Sequence, residues 1–202
     1  MLAIIDAAGW PIWPLIAASI IALGIIGERL WALRRSIIAP PGLLDAVAQE
    51  YRAKGVSQEM LDRLASESLL GRIFAAGLRN ERHAREVTKE SIEEAGRAAA
   101  HELGRFLTPL GTIASIAPIL GLFGTVIGMI EIFGSQNPSG ANPAQLAHGI
   151  SVALYNTAFG LIVAVPSMIF YRQFRSQVDS FVVEMEQQAI KLVEVIHGER
   201  QQ

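Results

Sequence analysis

Three stretches of the chain, residues 7–27, 106–130 and 132–171, contain no Asp, Glu, Lys or Arg, and nearly all the charge lies between and after them. A helix needs about 20 apolar residues to cross the hydrocarbon core of a bilayer. The pattern therefore predicts spanning helices over 13–35, 107–133 and 146–171. Glu28 and Arg29 interrupt the first near its inner end and read as an interfacial anchor. The first span has no basic segment ahead of it, unlike a signal peptide. The Asn, Pro, Gly and Ser residues of segment 134–145 predict a short loop, so the last two spans form an antiparallel hairpin. Pro40-Pro41-Gly42 ends the first helix, since Pro cannot continue one. Short amphipathic runs occupy 43–79, and from Glu81 one long helix leads without a breaker into the second span. Beyond the third span, Phe174, Val178, Phe181, Met185, Leu192 and Ile196 recur at helical spacing. Nothing alternates with period two. The prediction is an all-α membrane protein, with three transmembrane helices and long helical extensions forming a cytoplasmic helix bundle.

Composition agrees with the pattern. The chain is 51% hydrophobic and 18% charged, against about 25% charged in an ordinary soluble domain, and its mean hydropathy is +0.35. A soluble enzyme, a disordered chain and a disulfide scaffold are excluded as classes. Zero cysteines remove thiol catalysis and Cys-ligated zinc. The net charge of -2 says less than where the charges stand. All 17 Lys and Arg lie in Arg29–Arg105 and Arg172–Arg200, which the positive-inside rule places in the cytoplasm. Residues 1–12 and the loop 134–145 are then periplasmic, while 36–106 and 172–202 are cytoplasmic. The expected location is a bacterial inner membrane, crossed three times.

Small and polar residues inside the spans supply the candidate chemistry. Apolar side chains give helices no hydrophobic drive to associate in lipid, so close packing through small residues takes over. The second span offers Ala117, Gly121, Gly124, Thr125 and Gly128; the third offers Ala153, Asn156, Thr157, Gly160 and Ala164. Gly121, Gly124, Gly128 and Gly160 read as helix-packing positions. Thr125 and Thr157 either bond their own helix, as buried hydroxyls do, or line a polar path. Asn156 needs a partner or water, as helix glue or as part of such a path. Glu131, the acid of the second span, and His148, which opens the third, are accessory polar groups near the outer end. Pro118 and Pro166 are expected to kink their helices. No metal-ligand spacing, phosphate loop or paired carboxylates are present, and the mixed charges of Arg72–Arg105 form a solvated surface rather than a nucleic-acid stripe. The expectation is a protein without enzymatic activity, metal or cofactor.

PILGLFGTVIGMIEIF (Pro118–Phe133) and GISVALYNTAFGLIVAVPSMIFY (Gly149–Tyr171) resemble the paired motifs of the MotA/TolQ/ExbB proton-channel family. The three-span layout resembles its ExbB/TolQ branch. That resemblance implies a stator subunit, forming a homopentamer around two copies of a single-span ExbD- or TolR-like partner. A partner aspartate would accept protons, and work would pass to a TonB- or TolA-like protein for biopolymer transport. Thr125 and Thr157 match the family's pore-facing threonines. ExbB and TolQ proteins commonly carry a glutamate where this chain has Val152, so the resemblance places the protonatable group on the partner, with Thr125, Thr157 and Asn156 as polar lining. A non-conducting scaffold, or a TolQ-like subunit for envelope integrity, is the alternative.

Overall fold

The structure, a computed structural model, describes residues 9–134 and 143–198; the side chains of Pro143, Ala144, Gln145, His148 and Val152 are outside it. Most of the predicted segments 1–12 and 134–145 therefore lie outside the described residues. The described elements are helices: α1 (Ile12–Ala32), α2 (Arg35–Ile38), α3 (Leu43–Lys54), α4 (Gln58–Glu67), α5 (Leu69–Arg79), α6 (Arg85–Gly104), α7 (Leu107–Gly134) and α8 (Pro143–Ile196). Among the described residues, three helical stretches are long and apolar enough to cross a membrane. Two compact units result, Met1–Glu28 with Phe106–Gln173 and Arg29–Arg105 with Phe174–Gln202.

In the first unit, Leu15 of α1 packs with Ala117 of α7 and with Val163 and Ala164 of α8; Ile113, Leu120 and Phe159 close around them. The outward side of α1 is apolar, exposing Ile20, Ile21 and Leu23. Trp10, just ahead of α1, meets Phe123 edge-on at 6.2 Å between ring centroids. Helices α7 and α8 run through Pro118 and Pro166 without interruption. Pro166 lacks the N–H that would bond the Ile162 carbonyl, and the hydroxyl of buried Ser167 bonds the next carbonyl, Val163 O, at 2.7 Å.

The second unit is a soluble-type bundle built on sequence-local stops. Gly42 and Gly55, at φ +80° and +71°, bound α3 in a backbone region open to glycine. Ser57 caps α4 by accepting from Met60 N, and Ser68 caps α5 by accepting from Gly71 N. Leu70, Ile73, Phe74 and Leu78 give α5 a fully buried face. Gly77 on that face lets Ile92 of α6 and Leu192 of α8 approach: an added Cβ would stand 2.7 Å from Ile92 Cδ1 and 3.7 Å from Leu192 Cδ2. Phe174, Val178, Met185 and Leu192 of the predicted stripe are buried; Phe181 and Ile196 are half-buried.

Three expectations are corrected. The first helix ends at Ala32, not at Pro40; α2 and an extended Arg34 intervene. Arg29 is not an outward anchor: it is 5% exposed, and its Nη1 donates to Leu103 O at 3.1 Å. The helix predicted to run unbroken from Glu81 starts at Arg85 and stops at Gly104, with Arg105 extended (ψ 141°) and Phe106 at φ +65°. A non-glycine residue there costs about 1–3 kcal/mol. In a continuous helix Leu103 O would accept from Leu107 N–H. Here the Arg29 guanidinium takes that carbonyl, a tertiary donor that no local pattern announces.

Candidate functional site

The α7–α8 hairpin of the first unit is held by backbone contact. A Cβ added at Gly121 would lie 2.7 Å from Asn156 O, 3.0 Å from Thr157 Cα and 3.3 Å from Gly160 Cα. At Gly160 it would lie 2.6 Å from Ala117 O and 3.1 Å from Gly121 Cα. At Gly124 it would meet Asn156 Cβ at 2.7 Å, and at Gly128 Ala153 Cβ at 3.3 Å. Contacts under 3 Å are not available to real side chains, so Gly121, Gly124 and Gly160 are required by the closeness of the two helices, and Gly128 less so. Asn156 is enclosed by this seam at 1% exposure.

The threonines stand beside the seam and not within it; both are partly exposed. Thr125 Oγ1 donates to Leu122 O at 2.6 Å, so its proton is used within its own helix while its lone pairs stay open. Successive helix residues are about 100° apart. Leu120 and Phe159 pack against the cluster that holds Leu15 of α1. Counting from them, Thr125 is turned about 140° and Thr157 about 160° away. Both hydroxyls therefore sit on the flank of the hairpin that α1 leaves uncovered. They differ in height by about one turn, because Thr157 is level with Gly121.

Glu131 is exposed near the end of α7. It lies six residues beyond Thr125, about 9 Å along the axis and about 120° round it, so the fold does not bring the two together. The side chains of His148 and Val152 lie outside the described residues. Sequence reasoning passed over Ser167, whose position after an intrahelical proline was the available signal. It also passed over Thr108, Thr112 and Ser115. Thr112 and Ser115 bond the carbonyls of Thr108 and Gly111, each at 2.9 Å. Among the described residues no group of three or more His, Asp or Glu is placed to hold a metal ion. Outside the spans, the Tyr51 phenol is pushed above its ordinary value by burial and then by the Glu81 carboxylate it bonds. That pair belongs to the second unit.

The arrangement offers hydroxyls on one flank of an acid-poor hairpin. It can solvate and orient water, but provides no carboxylate at the level of the threonines. The profile of the MotA/TolQ/ExbB proton channel family matches residues 65–187. An ExbB-like protein of Synechocystis sp. is 30% identical over 166 residues, covering 81% of this chain and 79% of that protein. The biopolymer transport protein exbB1 of Vibrio cholerae is 32% identical over 161 residues, or 77% and 71% of the two chains. Among solved structures, the flagellar MotAB stator complex from Bacillus subtilis shares the fold, with a TM-score of 0.55 at 20% identity, over 94% of this chain and 82% of that one.

Proposed function

The chain belongs to the MotA/TolQ/ExbB proton channel family, as a multi-pass membrane subunit of an energy-transducing proton channel, and we propose how it works. Five copies surround two copies of a single-span partner of the ExbD or TolR type. Protons moving down their gradient reach an acid on the partner, and the resulting movement is passed to a TonB- or TolA-like protein. This subunit performs no catalysis; it supplies a polar wall.

The observation that supports this most is the flank geometry. Thr125 and Thr157 stand together on the side of the hairpin away from α1, next to a seam where Gly121 and Gly160 bring the two backbones together. A threonine is far cheaper to hold at membrane depth than a carboxylate, and its oxygen can still order water. The one acid of the two spans, Glu131, stands on another flank, which favours a protonatable group on the partner. The basic residues, confined to Arg29–Arg105 and Arg172–Arg200, support a periplasmic N-terminus and a cytoplasmic C-terminus.

The double substitution Thr125→Val and Thr157→Val tests the wall. Proton flux by the reconstituted complex is expected to fall at least about tenfold, a loss of about 1.4 kcal/mol of barrier stabilisation or more. Serine at both positions should preserve most of it. Wild-type flux in the double valine form, with assembly intact, would mean that the threonines are ordinary helix residues.

A further inference from the structure

Thr125 and Thr157 are polar positions in an otherwise apolar strip. Counted with sign along α7, Pro118, Ala114 and Leu107 fall within about 20° of Thr125 on the way to the inner end. Counted the same way along α8, Leu161, Ala164 and Met168 fall within about 40° of Thr157. The neighbouring hydroxyls are turned out of this strip. Ser115 stands about 80° from Thr125. Ser167 stands about 80° from Thr157, buried, with its proton on Val163 O. Pro118 and Met168 are half-buried and Leu161 is 48% exposed, so the strip presents apolar surface.

At the inner end an aromatic ring closes the strip. Gly111 lies about 40° from Thr125 and Tyr171 about 40° from Thr157. The two meet: a Cβ on Gly111 would stand 3.0 Å from Tyr171 Cε2 and 3.2 Å from Cζ, so the ring has its seat because residue 111 has no side chain. From Thr157 to Met168 is 11 residues, about 16 Å along the axis. Over that distance neither helix carries a polar side chain within about 60° of its threonine. Pro118 leaves the Ala114 carbonyl without its helix partner, but Ala114 is 3% exposed, and that oxygen is enclosed.

We infer that Pro118, Leu161 and Met168 form an apolar collar inward of the threonines, which keeps a continuous file of water from forming along this wall. Resting on the proton-channel reading above, the collar supplies what coupling needs. Hydroxyls hold water at one level, through lone pairs left open by their helix bonds, and the collar stops that water from running on to the inner face. Apolar constrictions oppose flow in this way by dewetting. A proton then passes the collar only on a group that moves, such as the partner's acid. The collar residues take no proton themselves; they set where the water ends.

The test uses the intact complex in liposomes, with no load protein. Leu161→Ser together with Met168→Ser is expected to raise passive proton flux at least about tenfold over wild type, the equivalent of about 1.4 kcal/mol of barrier. Assembly is checked by mass. Ile162→Ser, turned about 140° from Thr157 and 66% exposed, should leave flux at the wild-type level. The chain has no cysteine, so Leu161→Cys can be labelled alone with a small charged methanethiosulfonate reagent. It is expected to react at least about tenfold more slowly than Gln187→Cys, at an exposed position of the second unit, because the reactive thiolate forms only where water reaches. Wild-type flux in the serine form, or fast labelling at 161, while flux still depends on Thr125 and Thr157, would overturn this inference alone. Flux indifferent to the threonines and the collar alike would overturn the inference and the conduction reading together.

Discussion

The hairpin seam and the bundle core solve the same packing problem in opposite ways. In the bundle, large side chains fill the space: Phe74, Leu70, Leu78 and Phe174 are at most 1% exposed. In the seam the side chains are withdrawn, and Gly121 and Gly160 bring backbone to backbone. The difference follows from the solvent. Water drives the first by expelling apolar surface, whereas lipid is as apolar as the helices and rewards only close contact. One region is therefore sensitive to what is removed and the other to what is added.

The largest effect should come from removal in the bundle. Phe74→Ala is expected to cost about 3–5 kcal/mol, seen as loss of protease resistance within Arg29–Arg105. Phe74→Leu should recover part of it, and a full tolerance of alanine would break the contrast. Addition in the seam comes next. Gly160→Ala adds one methyl group against Ala117 O and should cost about 1–3 kcal/mol, read as a lower melting temperature of the detergent-solubilised complex. Gly128→Ala, with a 3.3 Å neighbour, should be the milder of the two; equal losses would show that the seam is not graded by contact distance. The smallest effect is a pH dependence of the bundle. Tyr51, whose ordinary value is 10.0, holds its proton more tightly in the fold, through burial first and Glu81 second. Its contribution to stability is fully present below about pH 10 and is lost as pH rises through the folded value. Tyr51→Phe should flatten that alkaline limb in a denaturation series, starting from a slightly lower neutral stability because the Glu81 hydrogen bond is lost.

Much of the architecture was legible in the residues because charge is so costly in hydrocarbon. The second and third gaps in charge predicted spans at 107–133 and 146–171, and the helices occupy Leu107–Gly134 and Pro143–Ile196. The packing glycines were legible as a class, through their spacing. Their graded importance was not, since that depends on which atom of the facing helix each one meets. The break at Arg105–Phe106 was invisible because neither residue is a breaker. Its counterpart, Arg29, carries no mark distinguishing a buried capping group from a surface charge. Glu131 was legible as an unusual acid, but its flank is set by where α1 lies against the hairpin.

What the sequence alone determined is the number of spans, the expected side of each charged block and the residue types within the membrane. These follow from transfer free energies, which act on each residue separately. The tertiary structure alone decided which hydroxyls share a flank, where a helix stops without a stop signal, and why residue 111 is glycine. Those depend on distances between segments far apart in the chain, down to a Tyr171 ring seated 60 residues away from the glycine it covers.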